Sequence, residues 1–466
     1  MALENTHLGA EAIGRALQGC KSIFFIGIGG ISMSALALLS RSAGYIVGGS
    51  DHGENAQTVQ LKKEGIPVYA GHDEANVFRY DAVVYTVAIA ADNPEYLAAK
   101  RMGKPLFSRA DYLGYLMMAY QNRIGISGMH GKSTSTAMCA QIFLDAVDPT
   151  VLCGAELGVL QNSTCRIGKG REHFVFEACE YMDSFLDFNP TLAVILNIGL
   201  DHVDYFHDME QIRTSFLRFA RRAGKAGTVL YNADDRESVA ALSPYEGRHV
   251  TFGVEKNADF TAKNITHSDG KTEFDFCRDG HLLCRIRLCV FGMHNIYNAL
   301  AAASAAALCG ISPERIAKSL SAFVGAKRRM ERRGVLPSGA VVYDDYAHHP
   351  DEIRATLSGA REMGFSRILC AYQPHTYSRT AGLLQEFSKA FHNADRVYMA
   401  DIYAAREQNI YGVDSEMLAE KIGESAEYCG SFSAVAEAIR RDAKAGDLVI
   451  VMGAGDIYKT FALLGV

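Results

Sequence analysis

No two of the 11 cysteines in this sequence are separated by only two residues. Structural zinc sites and disulfide frameworks depend on closely spaced cysteines, so we expect neither, and buried or inert thiols are the default. A long apolar run is also missing, because the most apolar stretch, residues 299–309, is too short to span a bilayer. The N-terminal segment has no apolar core of signal-peptide length, which predicts a cytoplasmic chain without membrane insertion.

An excess of positive charge is absent as well. The sequence has 47 Lys and Arg against 53 Asp and Glu, a net charge of −6, which predicts no general attraction to nucleic acid. The basic run within 327–333 is therefore a local feature. At 466 residues, with 48% hydrophobic and 21% charged residues, the composition is typical of a soluble globular enzyme of two to four domains.

Strands and helices alternate along the chain without an internal repeat or a low-complexity linker. Short apolar runs that suit buried strands occur at 22–26, 82–87, 123–126, 173–176, 192–197, 341–345, 368–372, 397–400 and 448–452. Residues 251–290 alternate in polarity instead, which predicts a short antiparallel excursion. The whole pattern predicts an α/β fold of three mostly parallel, doubly wound sheets.

A glycine turn and a helix follow the first of these strands. Gly27, Gly29 and Gly30 let the backbone approach a phosphate, and the helix N-terminus adds N–H groups and a positive dipole. Asp51 ends the next strand, where an acid that binds a ribose belongs. Ser32 replaces the third glycine of the dinucleotide pattern, so two interpretations stay open: half of a nucleotide site, or tight packing of strand on helix.

A second glycine loop, GISGMHGKST at 125–134, departs from the usual phosphate-binding pattern of glycine, four residues and Gly-Lys-Ser/Thr. The pattern would need a glycine five places before Gly131, but that residue is Ile126. The nearest preceding glycine, Gly128, stands only three places before Gly131. The loop still offers consecutive N–H groups, a lysine for phosphate oxygens and, at Ser133, a hydroxyl for Mg²⁺. Because it lies between a strand and a helix, we interpret it as a phosphate-binding loop.

Side chains that could bind a metal follow two further strands. Glu177 and Glu180 come just after one strand, and His202 follows another. Ligands gather at the carboxyl ends of parallel strands, so Ser133, Glu177 and His202 are predicted to converge. One such glutamate or histidine is more often structural, but the three together favour a site for a metal and a nucleotide.

Taken together, the motifs resemble those of the Mur ligases, essentially from end to end. The matching stretches are FFIGIGGISMSALA, GMHGKSTST, EACEY, NIGLDHVDYF, GMHNIYNALAA, AKRRME, DDYAHHPDEI, QPHTYSRT, ADIYAARE and MGAGDIYK. DDYAHHP and QPHTYSRT together are specific to the branch that adds alanine. The ATP loop of this family has the shorter form Gly-x-x-Gly-Lys-Thr/Ser, which Gly128, Gly131, Lys132 and Ser133 fit.

The resemblance implies three domains: a Rossmann-like domain for a UDP substrate at 1–121, a central P-loop ATPase-type mononucleotide-binding domain at 122–324, and a C-terminal Rossmann-like ligase domain at 325–466. The implied UDP-binding residues are Gly27, Gly29, Gly30 and Asp51. The implied ATP-binding residues are Gly128, Met129, His130, Gly131, Lys132, Ser133, Thr134, Asn295, Asn298, Arg329 and Asp344. The implied amino-acid or carboxylate residues are Tyr346, His348 and Arg379, the metal ligands Ser133, Glu177 and His202, and the catalytic residues Lys132, His348 and Arg379.

The same resemblance implies a reaction and its participants. ATP with Mg²⁺, or with Mn²⁺, would convert the lactyl carboxylate of UDP-N-acetylmuramate into an acyl phosphate, and L-alanine would displace the phosphate. The enzyme would be a monomer or a homodimer. Thr376 stands where the family usually has arginine, so Arg379 would carry most of the contact with a substrate carboxylate. Cys179 and Tyr181 also replace the family's usual residues, which favours Glu177 over Glu180 as the metal ligand.

Three other functions remain open. The chain could be a ligase that recycles a whole peptide onto UDP-N-acetylmuramate, an oxidoreductase that uses the first glycine loop for NAD, or a nucleotide-binding regulator without turnover. Lys132 together with Glu177 and His202 disfavours the oxidoreductase, as does Ser32. The complete set of catalytic residues disfavours the regulator.

Overall fold

The computed structural model describes residues 3–160, 163–202, 205–268, 271–405 and 407–466. Along the chain they form three α/β regions, each containing a largely parallel sheet, which confirms the predicted fold class. By internal contacts the chain divides into two compact units. The first unit is Met1–Ile198, Ile212–Asp259 and Ala301–Arg315, and the second is Gly199–Gln211, Phe260–Leu300 and Ile316–Val466.

The N-terminal region has a five-stranded parallel sheet in the order β3-β2-β1-β4-β5. Its strands are β1 (Ser22–Ile26), β2 (Ile46–Asp51), β3 (Val68–Ala70), β4 (Ala82–Tyr85) and β5 (Leu106–Ser108). Its helices are α1 (Ala10–Ala16), α2 (Ile31–Ser42), α3 (Ala56–Lys63), α4 (Pro94–Arg101) and α5 (Arg109–Leu116). Strand β1 is buried along its whole length, as expected for a continuous apolar run at the centre of a parallel sheet.

The central region follows with ten strands among the described residues. They are β6 (Asn122–Ser127), β7 (Thr150–Leu157), β8 (Ser163–Arg166), β9 (His173–Glu177), β10 (Leu192–Ile195), β11 (Thr228–Asn232), β12 (His249–Gly253), β13 (Phe260–Ser268), β14 (Lys271–Arg278) and β15 (His281–Leu288). The helices are α6 (Lys132–Ala146), α7 (Met209–Arg221), α8 (Arg236–Leu242), α9 (Met293–Leu308) and α10 (Pro313–Ser321). Seven neighbouring strands run in the order β12-β11-β10-β6-β9-β7-β8, and only β7 and β8 pair antiparallel.

Strands β13, β14 and β15 form the antiparallel excursion that the sequence predicts. The predicted excursion begins too early, however. Residues 251–253 lie in β12, which pairs in parallel with β11. The apolar and polar residues of β12 alternate because its burial is partial, so polarity alone did not separate it from the hairpin strands.

The C-terminal region has a six-stranded sheet in the order β16-β17-β21-β18-β19-β20, in which only β16 is antiparallel to its neighbour. Its strands are β16 (Glu331–Val335), β17 (Val341–Asp345), β18 (Arg367–Tyr372), β19 (Arg396–Ala400), β20 (Ala426–Gly430) and β21 (Asp447–Met452). Its helices are α11 (Pro350–Arg361), α12 (Tyr377–Gly382), α13 (Leu384–Ala390), α14 (Ser415–Ile422), α15 (Phe432–Asp442) and α16 (Thr460–Leu464). All of β21 is buried, and one apolar core lies on each face of this sheet.

The alanine-rich stretch of the sequence belongs to α9. Residues from Ala299 to Ala306 are buried in this helix, so its apolar character reflects packing inside the protein. Across the described ranges, none of the helices combines the length and the apolar character that crossing a bilayer demands.

Candidate nucleotide and ligase site

The second glycine loop joins the carboxyl end of β6 to the N-terminus of α6, as a phosphate-binding loop does. Gly131 caps α6 with φ of 82°, in the left-handed region that glycine adopts without strain. Asn197, just beyond β10, fixes the loop: its Oδ1 accepts the His130 N–H at 2.8 Å and its Nδ2 donates to the His130 carbonyl at 3.0 Å. Asn197 was not predicted from the sequence, although its position just after a strand that pairs with β6 was a usable signal.

Lys132 points back over this loop and is held there by a carboxylate. Its Nζ donates to the Gly128 carbonyl at 2.6 Å and to Glu180 Oε1 at 3.0 Å. The Glu180 side chain is fully buried. Burial disfavours the lysine charge, but Glu180 and the nearby Glu177 outweigh it and raise the pKa of Lys132. The loop therefore carries a fixed positive charge at the start of α6.

Glu177 and Ser133 belong to neighbouring parts of the first compact unit, at the end of β9 and just after the loop that follows β6. Glu177 ends β9 and pairs in register with Ile126 of β6, whereas Ser133 stands in the first turn of α6. Glu177 Oε2 accepts the Gly154 N–H at 2.9 Å, which orients the carboxylate. His202 belongs to the second unit, where its N–H donates to Asp201 Oδ1 at 2.7 Å and its φ is 52°.

The first glycine loop is closed by three side chains. Gly29 donates its N–H to Asp51 Oδ2 at 2.8 Å, and its carbonyl accepts from Asn55 Nδ2 at 3.2 Å. A Cβ on Gly29 would lie 2.7 Å from Thr58 Cγ2 and 2.8 Å from Asp51 Oδ2, so the position has no room for a side chain. Gly27 forms the turn after β1, and Gly30 caps α2. The Asp51 carboxylate thus lies directly against the predicted UDP loop.

The two predicted adenine-binding asparagines form a pair on α9. Asn295 Nδ2 donates to the Phe291 carbonyl at 2.7 Å, and Asn298 Nδ2 donates to Asn295 Oδ1 at 3.2 Å. Both residues are buried. Asn298 therefore orients the Asn295 amide. His294, the preceding residue, is a neutral histidine, because burial and the Arg329 charge lower its pKa to about 4.

Two adjacent aspartates at the end of β17 have different partners. Asp344, the predicted ATP-binding residue, has its Oδ1 3.4 Å from Arg328 Nε, and burial raises its pKa to about 6 despite that arginine. Asp345 instead accepts the Met330 N–H at 2.8 Å and the Ala347 N–H at 2.9 Å. Asp345 thereby ties the arginine loop before β16 to the loop before α11, a role that its sequence position did not reveal.

Arg329, Tyr346 and His348 lie on the two loops that Asp345 joins. The Arg329 guanidinium carbon is 5.4 Å from the centre of the Tyr346 ring. The rings of Tyr346 and His348 meet edge to face, with 5.6 Å between their centres. Burial and the Arg379 charge lower the pKa of His348 to about 4, so this imidazole is neutral near pH 7. A neutral imidazole can accept a proton.

Arg379, predicted to bind a substrate carboxylate, is paired with Asp201 in the second unit. Its Nε and its Nη2 both lie 3.2 Å from Asp201 Oδ1, and its Nη1 is 3.3 Å from His375 Nδ1. Burial disfavours the charge of Asp201, but Arg379 outweighs it and lowers the pKa of the carboxyl. Thr376 has φ of 65° and its Oγ1 accepts the Arg379 N–H at 3.4 Å, so it caps α12. The guanidinium thus already engages one carboxylate.

Three family models match successive parts of this chain. The catalytic domain of the Mur ligase family matches residues 22–121, the Mur ligase middle domain residues 126–306, and the glutamate ligase domain of Mur ligases residues 328–455. The chain belongs to the Mur ligase family.

Individual relatives give a more specific similarity than the family models do. The chain is 45% identical to the UDP-N-acetylmuramate–L-alanine ligase of Caldicellulosiruptor saccharolyticus over 446 residues, which are 95% of this chain and 97% of that protein. It is 46% identical to the enzyme of the same name from Acetivibrio thermocellus over 445 residues, 94% of each chain. The crystal structure of UDP-N-acetylmuramate-alanine ligase from Thermotoga maritima superposes with a TM-score of 0.78 at 28% identity, covering 95% of this chain and 98% of that one. The predicted three-domain architecture is confirmed.

Proposed function

We propose that this protein joins L-alanine to the lactyl carboxylate of UDP-N-acetylmuramate at the expense of ATP, a step of peptidoglycan synthesis. The observation that carries the proposal is the alignment of nearly the whole chain with two relatives of that name at 45% and 46% identity. The ordered phosphate loop, with Lys132 at the start of α6, supports the use of ATP.

The substrates bind to three different domains, which comprise residues 1–121, 122–324 and 325–466. In the first, Gly27, Gly29 and Gly30 face the diphosphate of the UDP substrate, and Asp51 exchanges its bond to Gly29 for the ribose. The contact between Asp51 and the glycine turn supports this assignment. The second domain holds ATP on the residues 128–134, with Asn295 and Asn298 at the adenine. The third supplies Arg329, Asp344, Tyr346, His348 and Arg379.

The first chemical step is transfer of a phosphoryl group. A lactyl carboxylate oxygen attacks the γ-phosphorus of ATP, the bond from that phosphorus to the β,γ-bridging oxygen breaks, and ADP leaves with the electron pair. Negative charge spreads over the transferring group, so donors fixed around it lower the barrier. Lys132 and the N–H groups of its loop provide those donors, and Arg329 adds a second positive charge.

Ser133 and Glu177 fit a Mg²⁺ ion, with His202 as the third proposed ligand. A hydroxyl and a carboxylate are oxygen donors of the kind that Mg²⁺ prefers, and Glu177 lies in register with the strand that leads into the phosphate loop. The cation, when bound, neutralises charge on the β- and γ-phosphates. The Gly154 N–H keeps the Glu177 carboxylate oriented in its absence.

The second step forms the amide. Alanine is an ammonium ion at neutral pH and must lose one proton before it can attack. The free nitrogen then attacks the acyl carbon, the bond from that carbon to the phosphate oxygen breaks, and the leaving phosphate takes a second proton from the nitrogen. His348 is the proposed acceptor of the first proton. Arg379 holds a substrate carboxylate with its planar guanidinium, for which it must exchange Asp201.

The proposal is tested by omitting one substrate at a time. Phosphate release should require UDP-N-acetylmuramate, L-alanine and Mg-ATP together, and it should fall to background when any one is left out. A peptide beginning with L-alanine, offered in place of alanine, should be a poor substrate. Preference for the peptide would instead identify a peptide-recycling ligase, and equal ATP hydrolysis without any amine would contradict a ligase. We propose that the protein works in the cytoplasm, as a monomer or a homodimer.

A further inference from the structure

Glu352, in the first turn of α11, connects two of the proposed site residues. Its side chain is only 11% exposed. One carboxylate oxygen, Oε1, lies 3.5 Å from Arg329 Nη1. The other, Oε2, accepts the backbone N–H of His348 at 3.1 Å and lies 3.3 Å from His348 Nδ1. One buried carboxylate therefore contacts both the arginine loop and the histidine.

The surroundings of His348 decide which ring nitrogen carries hydrogen. Nδ1 lies 3.0 Å from the Tyr346 carbonyl oxygen and close to the Glu352 carboxylate. Both groups can only accept hydrogen bonds, so Nδ1 must be the donor. Since burial and the Arg379 charge keep the ring neutral near pH 7, the second nitrogen, Nε2, then carries the lone pair.

We propose that Glu352 is a positioning residue that holds His348 with Nδ1 protonated, so that Nε2 can take the proton from the attacking amine. This rests on the proposed function. Arg329 holds the Glu352 carboxylate in place, because a guanidinium and a carboxylate form a charge-assisted pair. Nε2 takes one proton from the alanine ammonium group and so frees its lone pair. The amine then attacks the acyl carbon, the carbon–oxygen bond to phosphate breaks, and the leaving phosphate takes the second proton.

A simpler interpretation gives Glu352 a structural role alone. Acidic residues in the first turn stabilise a helix through its dipole, and Asp351 and Glu352 both occupy that turn of α11. A structural role affects every reaction of the enzyme equally. A positioning role affects only the step that consumes a proton acceptor, and this difference can be measured.

The experiment compares two nucleophiles in the Glu352→Gln variant. At neutral pH alanine carries an ammonium group that must lose a proton, whereas hydroxylamine is already uncharged. The variant should transfer alanine about 10- to 100-fold more slowly, a loss smaller than the roughly 100- to 10,000-fold contribution of a general base, because His348 itself remains. Hydroxamate formation from UDP-N-acetylmuramate and ATP should stay close to the wild-type rate. Glu362→Gln, an exposed change at the end of the same helix, is the matched control and should leave both rates unchanged.

Each result bears on a different claim. Equal losses with alanine and hydroxylamine, or no loss with either, would overturn the positioning role of Glu352. Absence of hydroxamate in the wild-type enzyme would instead overturn the proposed function itself. Nitrogen-15 NMR of histidine-labelled wild-type protein, assigned with His348→Gln, needs no folded Glu352 variant. It should show His348 neutral with the hydrogen on Nδ1, and hydrogen on Nε2 alone would also overturn the proposal.

Discussion

Lys132 and Arg379 are two cations that this structure holds against buried carboxylates. Lys132 pairs with Glu180 at 3.0 Å, and Arg379 pairs with Asp201 at 3.2 Å. Removing one partner of such a pair leaves the other charge buried and uncompensated, which can cost several kcal/mol. Every variant of these four residues must therefore be checked for folding before its kinetics are interpreted.

Lys132→Ala should lower kcat about 100- to 1,000-fold, because it removes a donor fixed at the phosphoryl group in the transition state. The measurement is steady-state phosphate release with all three substrates saturating, together with a thermal melt. Lys389→Ala, an exposed change on α13, is the control and should keep wild-type turnover. A folded Lys132→Ala enzyme with near-normal kcat would show that the phosphate site has been assigned to the wrong loop.

Arg379→Ala should cost about one to two decades in kcat/KM for one carboxylate substrate, since a charge-assisted pair contributes roughly 1.5–3 kcal/mol. Arg379→Lys should recover only part of the loss, because a point charge lacks the planar fork. Asp201→Asn provides the comparison that the structure suggests. If Arg379 binds a substrate carboxylate, Asp201→Asn should leave the KM of that substrate unchanged or should lower it.

Kinetic losses in both variants would assign Arg379 a different role. Similar losses in Arg379→Ala and Asp201→Asn would indicate that the arginine acts by holding Asp201 beside His202. Kinetic constants for alanine and for UDP-N-acetylmuramate must be determined separately, because either substrate offers a carboxylate.

The sequence motifs predict the two cations but not the carboxylates that pair with them. Lys132 and Arg379 were predicted from the short patterns GKST and QPHTYSRT. Their partners Glu180 and Asp201 lie 48 and 178 residues away along the chain, and only the fold brings them together. Asp344 shows that motifs also do not separate the roles of neighbouring residues. The motif DDYAHHP begins with two aspartates, and only the structure distinguishes Asp344, which faces Arg328, from Asp345, which connects two loops.

Central strands were easier to predict than edge strands. Buried strands such as β1, β18 and β21 are continuous apolar runs, and their predicted bounds agree with the structure to within a residue. Strands β8, β16 and β20 were missed; they lie at sheet edges, are only partly buried, and contain polar residues that periodicity assigns to loops. Strand β5 and two strands inside the central sheet, β7 and β11, were missed as well. Helix α6 was predicted at Lys132–Ala146, as observed, because the glycine loop marks its start.

The turn between β1 and α2 should tolerate no side chain at Gly29. A Cβ there would meet Thr58, Asn55 and Asp51 within 2.8 Å, so Gly29→Ala should destabilise the domain by about 1–3 kcal/mol and weaken UDP binding. Thermal melting and calorimetric titration with UDP measure the two effects. Gly53→Ala is the matched control, since its Cβ would have no neighbour within 4 Å. Unchanged UDP affinity in Gly29→Ala would remove this turn from the proposed site.

Half-buried histidines in the second compact unit should make the protein sensitive to acid. Burial, with help from nearby arginines, lowers the pKa of His294, His348 and His375 from 6.5 to about 4. Between those values the unfolded chain binds more protons than the folded one, so the free energy of unfolding must rise with pH. Asp344, with a pKa raised to about 6 by burial, acts in the opposite direction over part of the interval.

Burial raises the pKa of Asp187 and Asp345 as well, so three carboxyls oppose the histidines. The arginine-paired carboxyls Asp201 and Asp442 have lowered pKa values and act in the same direction as the three histidines, so stability should be lost as the pH falls from 6.5 towards 4. A lowering of this size corresponds to at most about 3 kcal/mol for one histidine, and to less for these partly exposed rings. Denaturant unfolding at a series of pH values measures the slope, and His294→Gln should reduce it. A slope of opposite sign between pH 6.5 and 4 would contradict the neutral buried state assigned to these rings.

Activation of a carboxylate by ATP is the central claim, and the fate of one oxygen atom tests it most directly. UDP-N-acetylmuramate with oxygen-18 in both positions of the lactyl carboxylate is converted in the presence of L-alanine and ATP, and the released phosphate is analysed by mass spectrometry. An acyl phosphate predicts that each phosphate carries one oxygen-18 atom, because its carbon–oxygen bond breaks when the amine attacks. Phosphate without the label, formed together with the amide product, would contradict the account.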